Sequence, residues 1–267
     1  MLDLQLIGQY VPGTSFLHRL DPRTKLVGVI AYSVLIFFLR DAVGIGLAFA
    51  LAAAAVAAGR LSPALLLRGL QPVLVLLVLT VALNAVLTPG QPLGRLGPVT
   101  VTREGLALSA LMAARLVLLV VVASLLTLTT TPIALTDGVE RLLRPLSRVG
   151  VPAAELALMM TIALRFIPTL MEEAQRILKA QEARGARLRA QGPLRQVQAL
   201  LPILVPLFVA AFRRADELAV AMEARGYRGG QGRTRMRELA FGPADAVAAA
   251  LLAAWAGAVI AWRWWGS

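Results

Sequence analysis

The chain contains no cysteine and a single histidine, His18. Without cysteine there can be no disulfide and no thiolate metal ligand, and one imidazole does not build a histidine metal centre. The phosphate-binding pattern G-x-x-x-x-G-K-[ST] is missing, and neither H-E-x-x-H nor G-x-S-x-G occurs. The sequence therefore predicts no cofactor, no resident metal and no catalytic site of these kinds. Any ATP hydrolysis linked to this chain must take place on another protein.

Charged side chains are also scarce, at 16% of the 267 residues, whereas 58% are hydrophobic and the mean hydropathy is +0.74. A soluble globule of this size needs more polar surface. The predicted fold class is therefore all-α, a polytopic membrane protein with about five transmembrane helices. The net charge of +12 lies beside long apolar runs, where basic residues orient the chain and meet anionic lipid, so nucleic acid is not expected as a partner.

Five apolar runs are long enough to cross a bilayer, alone or with a neighbouring helical turn. They are Leu26 to Leu39, Ala42 to Ala58, Leu70 to Leu87, Gly105 to about Thr130, and Ala244 to Ala261. The predicted organisation is an N-terminal segment with four spans in residues 1–130, a coupling-helix region in 131–237, and the last span in 238–267.

Positive charge is distributed unevenly, since 17 of the 27 Lys and Arg residues lie between Val139 and Arg237. Positively charged segments are retained on the cytoplasmic side of a membrane. The first 25 residues have no continuous apolar core and so do not read as a cleavable signal. We therefore expect the amino terminus and the 131–237 region in the cytoplasm, the carboxyl terminus outside, and the chain in the cell inner (cytoplasmic) membrane.

Two long amphipathic helices are predicted within this basic region, from Pro152 to Gly185 and from Leu194 to Gly226. In both, apolar residues recur every three or four positions and charged residues fill the other face. A shorter helix, from about Leu135 to Val149, precedes them. Proline removes a backbone donor and bends helices, and the predicted hinges are Pro168, Pro202 and Pro206.

The two long helices end in the same tripeptide. The hexapeptides that end at Gly185 and Gly226 share five of six residues at an offset of 41. Arginine followed by glycine at a helix carboxyl end is ordinary capping, which would explain one copy. Two copies on helices of similar length favour twin docking tips for two similar partners, because arginine offers a planar fork of five donors.

Two charged sites lie close to or inside the apolar runs. Asp21, with Pro22, Arg23 and Lys25, is a candidate functional contact, but the pattern favours a local ion pair that fixes the chain before it enters the membrane. Arg115 is the only basic residue well inside an apolar run, which makes it a functional candidate by default. The alternatives are that it pairs with an internal acceptor, or that its span begins near Leu116.

Three stretches are similar to one known family: Ser15 to Leu26, Ala163 to Ala186, and Ala221 to Tyr227. They resemble, in this order, the start of the first span and the two Ala-Arg-Gly signatures of the transmembrane T component of energy-coupling factor (ECF) transporters, the EcfT/CbiQ family. The matching stretches are distributed over nearly the whole chain, and neither tripeptide departs from the family pattern.

The resemblance implies a non-catalytic subunit that couples two ATP-binding-cassette ATPases, identical or different, to a small integral-membrane substrate-binding S component for uptake of a vitamin or a transition-metal ion. It implies two crossed cytoplasmic coupling helices whose tips dock into the ATPases through Ala183, Arg184, Gly185, Ala224, Arg225 and Gly226. The apolar faces of these helices are the implied platform for the S component, with the candidates Phe166, Leu170, Leu204, Phe208 and Phe212.

Two other functions are compatible with the residues alone. A non-transporting membrane scaffold would recruit cytoplasmic proteins through the same two helices. A polytopic enzyme acting on lipid would need His, Asp or Arg side chains converging at the membrane edge, and the position of the single histidine, near the amino terminus, disfavours it.

The predicted topology can be tested by cysteine labelling. In an Arg184→Cys variant we expect a membrane-impermeant maleimide to react only from the cytoplasmic side, because positive charge retains this region there. The natural chain has no cysteine, so the label reports this position alone. Reaction from the outside would contradict the five-span topology.

Overall fold

The computed structural model describes residues 10–39, 41–96, 99–145, 150, 152–186, 193–229 and 241–265. Its helices are α1 Phe16–Arg19, α2 Pro22–Phe38, α3 Ala42–Gly59, α4 Pro63–Leu70, α5 Leu74–Leu87, α6 Arg103–Thr129, α7 Pro132–Leu143, α8 Ala153–Ala183, α9 Pro193–Ala224 and α10 Pro243–Trp265. A 3₁₀ turn, Gln71–Val73, joins α4 to α5. The chain divides into a first unit, residues 1–139 with 238–267, and a second unit, residues 140–237.

The all-α class is confirmed, with one addition. A two-stranded antiparallel hairpin, β1 Pro92–Leu96 and β2 Val99–Thr102, connects α5 to α6. The sequence excluded helix from this stretch because of its proline and glycine residues, but it did not predict strand pairing.

Within the described residues, five helical segments are long and apolar enough to cross a membrane, which confirms the multi-pass prediction: Ala42–Gly59, Pro63–Leu87, Arg103–Thr129, Ala154–Ala183 and Pro243–Trp262. Four of them correspond to predicted spans. Ala154–Ala183 is the helix that the sequence analysis assigned to the cytoplasm, and its placement there stays a prediction. The predicted first span is part of α2, which has 17 residues and is shorter than the other five segments.

Polar caps explain where several helices begin. The carboxylate of Asp21 accepts a hydrogen bond from the Arg23 backbone N–H at 2.8 Å, and Pro22 occupies the first helical position, so α2 starts before its apolar run. Such caps satisfy N–H groups that a helix start leaves without partners. Thr131 caps α7 in the same way, through Ala134. The predicted start of α7 at Leu135 is therefore about one turn too late.

Two predicted boundaries change for related reasons. The third span does not begin at Leu70, because helix already starts at Pro63 in α4 and continues through the 3₁₀ turn that contains Pro72. Helix α7 ends at Leu143, and its predicted end at Val149 lies outside the described residues.

The core of the first unit is a buried cluster shared by α2, α3, α6 and α10. Tyr32 of α2 stacks on Trp255 of α10 with ring centroids 5.1 Å apart, and Ile36 and Leu118 are almost completely buried beside them. A second buried cluster joins α4 to α6 through Leu61, Leu66, Leu125 and Leu128. Helix α6 therefore lies at the centre of the unit.

Arg115 points into this core. It is about nine-tenths buried, and its Nη2 donates a hydrogen bond to the backbone carbonyl of Leu39, just after the end of α2. This is the internal acceptor that the sequence analysis considered. Helix α6 itself begins at Arg103, and the alternative that its membrane span begins near Leu116 stays a prediction.

Helices α5 and α6 come unusually close at Gly105. A Cβ atom there would lie 2.8 Å from the carbonyl oxygen of Asn84 and 3.0 Å from that of Ala85. We expect Gly105→Ala to push the helices apart and to destabilise the protein by about 1–3 kcal/mol. Thermal unfolding in detergent measures this, with Gly46→Ala as the matched control because nothing lies within 4 Å of its Cβ position. Equal unfolding temperatures would contradict the close approach.

Candidate functional site

The two long helices of the second unit pack antiparallel. Near the end of α8, the side-chain amide of Gln181 donates to the carbonyl of Pro202, in the first third of α9, at 3.3 Å. At the opposite end, Gly229, beyond α9, lies next to Glu155 at the start of α8: a Cβ added to this glycine would be 3.9 Å from the carboxylate. The end of each helix therefore lies beside the start of the other.

The bond from Gln181 has a specific cause. Residue 206 is proline and has no N–H group, so the carbonyl of Pro202, four residues earlier, receives no helical hydrogen bond from it. Gln181 supplies the missing donor from the neighbouring helix. The predicted hinges Pro168, Pro202 and Pro206 all lie inside continuous helix, and their role as hinges stays a prediction.

An apolar groove of about 530 Å³ runs between α8 and α9. Phe166 and Leu170 of α8 line it together with Leu218 and Met222 of α9. These two candidates for the S-component platform therefore face the neighbouring helix.

The three candidates on α9 are instead exposed to the surroundings. Leu204, Phe208 and Phe212 are 40%, 61% and 69% exposed. They are spaced four residues apart, which places them on one face of the helix.

The first Ala-Arg-Gly motif ends α8 in a Schellman cap. Gly185 has φ +81°, and its N–H donates to the Glu182 carbonyl at 2.9 Å. The next residue, Ala186, donates to the Gln181 carbonyl at 3.0 Å. These two bonds satisfy carbonyls that the helix end leaves free, and glycine adopts the left-handed conformation without a steric penalty.

The second motif repeats the same geometry at the end of α9. Gly226 has φ +74°, and its N–H donates to the Glu223 carbonyl at 2.8 Å. Tyr227 donates to the Met222 carbonyl at 3.0 Å. The capping function that the sequence indicated is therefore confirmed for both copies.

The arginines of both motifs are available to a partner. Arg184 and Arg225 are exposed, and within the described part of the chain neither guanidinium takes part in a hydrogen bond or ion pair. Each can offer its planar donor fork to carboxylates or carbonyls of another protein. Because α8 and α9 are antiparallel and α8 rises roughly 40 Å between Glu155 and Gln181 at 1.5 Å per residue, the two tips lie at opposite ends of the pair.

The two repeated hexapeptides differ at one position, where the first has Gln181 and the second has Met222. The structure explains this difference. Gln181 bonds to the carbonyl of Pro202, whereas Met222 lines the apolar groove. The importance of Gln181 was missed from the sequence. The available signal was Pro206, because a proline inside a helix leaves the carbonyl four residues earlier without its helical donor.

Among the residues that the structure describes, no three His, Asp or Glu side chains come together in a group that could hold a metal ion.

The left-handed glycines provide a test of the caps. We expect Gly185→Ala or Gly226→Ala to destabilise the last turn of its helix by about 1–2 kcal/mol, because a side chain is strained in this conformation. Amide hydrogen exchange measures this, and exchange in that turn should become faster. The control is Gly257→Ala, a helical position with nothing within 4 Å of its Cβ position. Unchanged protection in both tip variants would contradict the assigned caps.

Fold and site define a class: a multi-pass helical membrane protein with a pair of long helices that present two similarly capped, exposed arginine tips. A family model described as cobalt transport protein, CbiQ, matches residues 13–236. The chain is 52% identical over 241 residues to the energy-coupling factor transporter transmembrane protein EcfT of Acidaminococcus fermentans, covering 90% of each chain. The EcfT protein of Bacillus selenitireducens is 46% identical over 267 residues, covering 100% of each.

These matches cover the described site as well as the first unit. The chain therefore belongs to the CbiQ family and is a transmembrane component of energy-coupling factor transporters. The family resemblance found in the sequence is confirmed.

Proposed function

We propose that this chain is the coupling subunit of an ECF-type transporter. It passes the ATP-driven movement of two ATPase subunits to a membrane-embedded S component, for uptake of a vitamin or a transition-metal ion, and it catalyses no reaction itself. The observation that carries this proposal is the pair of equally capped arginine tips at opposite ends of the α8–α9 pair.

The chemistry of each tip suits a protein groove. Arg184 follows Ala183 and precedes Gly185, and the second tip repeats this order at Ala224, Arg225 and Gly226. Small neighbours allow another backbone to approach closely, while the guanidinium bonds to acceptors in a fixed geometry. Two equal tips require two similar grooves, which two ATPase subunits provide.

The distance between the tips supports one ATPase at each. Their separation of roughly 40 Å along the helix pair is too large for one small groove to hold both. When two ATPases close on ATP, their approach displaces the two ends of the pair. A packed helix pair transmits such a displacement as a shift or rotation instead of absorbing it.

The exposed apolar face of α9 is the proposed platform for the S component. Leu204, Phe208 and Phe212 form one continuous face, and apolar patches of this kind mark contacts with proteins or membranes. Phe166 and Leu170 of α8 line the groove between the two helices. There they set the spacing of α8 and α9, and so the position of the platform.

The proposed orientation of the chain in the membrane rests on the distribution of positive charge and on the location of ATP. The second unit contains most of the basic residues, which favours the cytoplasmic side. We place the second unit and the amino terminus in the cytoplasm, where the ATPases obtain ATP, and the carboxyl terminus outside.

The docking proposal predicts the effect of reversing both tip charges. In the double variant Arg184→Glu with Arg225→Glu, we expect the ATPase subunits to be lost from the detergent-solubilised complex, because both donor forks become acceptors. The membrane chain itself should stay folded, with an unchanged unfolding temperature. Co-purification followed by densitometry of the subunits measures this outcome.

A matched control has the same change in net charge away from the tips. Arg176 and Arg213 are exposed on α8 and α9, and the double variant Arg176→Glu with Arg213→Glu should retain both ATPases. Retention of the ATPases and of uptake by the tip variant would contradict the docking assignment. Equal loss in both variants would show that net charge, not the tips, binds the ATPases.

A further inference from the structure

The first turn of α2 contacts both chain segments that connect the two units. The chain leaves the first unit after α6, through α7, and returns to it just before α10. Residues at the end of α6, in α7 and at the start of α10 all contact the segment from Asp21 to Leu26. The sequence analysis favoured a local ion pair in this segment, and the structure shows one between Arg23 and Asp21 at 2.9 Å.

The outgoing segment is held by Lys25. Its Nζ donates to the carbonyl of Thr129 at 2.9 Å and to the hydroxyl of Thr130 at 3.1 Å, where α6 ends. A positive charge at a helix carboxyl end also meets the negative end of the helix dipole. Lys25 is about nine-tenths buried, so its removal would leave buried acceptors without a donor.

Helix α7 then packs directly on the same turn of α2. At Gly138 of α7, a Cβ atom would lie 3.1 Å from the Cβ of Pro22 and 3.1 Å from the Cδ1 of Leu26. These distances are tighter than ordinary side-chain contacts. A side chain at this position would therefore press on the first turn of α2, and α7 or α2 would have to shift by a few tenths of an ångström.

The returning segment is held by Asp245, at the start of α10. One carboxylate oxygen accepts from the Asp21 backbone N–H and the other accepts from the Gly242 backbone N–H, both at 2.8 Å. Asp245 and Asp21 are only 4% and 5% exposed. The Arg23 guanidinium, paired with Asp21, lies 4.1 Å from the ring centre of Phe241, a favourable cation–π arrangement.

We propose that Lys25, Gly138 and Asp245 are positioning residues for coupling, which together fix both connecting segments on the first turn of α2. We name these three residues, with Asp21, the α2 anchor. Movement of the second unit reaches α6 and α10 through segments that the anchor holds. A loosened anchor allows the second unit to move without displacing the membrane helices. This inference rests on the proposed coupling function.

The functional test uses Lys25→Met in the full complex with its ATPases and S component. We expect both ATPases to remain bound and to hydrolyse ATP, while substrate uptake per ATP falls by about tenfold. Gly138→Ala should reduce uptake per ATP in the same direction through steric contact, without changing a charge. The matched control is Gly28→Ala, on the same helix α2, with nothing within 4 Å of its Cβ position.

The structural test uses the purified chain without partners. We expect amide exchange in residues 129–138 and 241–247 to be faster in Lys25→Met and Gly138→Ala than in the natural chain or Gly28→Ala. Unchanged exchange, or uptake per ATP that stays at the natural level in both anchor variants, would overturn the inference. Absence of ATPases from the natural complex would instead contradict the proposed function, and the exchange measurement would still test the anchor.

Discussion

Hydrogen bonds from single side-chain donors to main-chain carbonyls of neighbouring helices hold the first unit together. Tyr32 donates to Ala48, joining α2 to α3, and Ser109 donates to Val81, joining α6 to α5. Lys25 and Arg115 connect α2 to α6 near the two ends of α2. In a bilayer there is no water to satisfy these groups, so the partners must come from within the protein. Each bond sets how far one apolar helix can slide along its neighbour.

The same type of bond also joins the two long helices. The carbonyl that Pro206 leaves without a helical donor is bonded by Gln181 of the neighbouring helix. This contact lies near the end of α8, and the contact between Glu155 and Gly229 lies at the other end. The antiparallel order separates two chemically equal tips. Proline, which weakens an isolated helix, here creates an acceptor that aligns two helices.

Much of this architecture follows from sequence patterns. The apolar runs predicted four of the five candidate membrane helices in the described residues, and the arginine and glycine of each repeat predicted the caps, because both signals are local along the chain. The acceptor of Arg115 is a backbone carbonyl, which every residue has, so no pattern identifies it. Pro206 marks the Pro202 carbonyl as lacking its helical donor, but no pattern shows that Gln181 of the neighbouring helix reaches it. The start of α7 at Pro132 depends on one weak cap. Phe166 faces the groove because α8 pairs with α9, and the periodicity of apolar residues alone does not determine that pairing.

The central claim is that each tip binds a different ATPase subunit. It is tested most directly by introducing a photo-crosslinking amino acid at Arg184 and at Arg225 in one chain and determining the mass of the illuminated complex. The expected product contains the membrane chain joined to two separate ATPase subunits, one through each position. A product with one ATPase joined to both positions, or crosslinks only to other proteins, would contradict the claim.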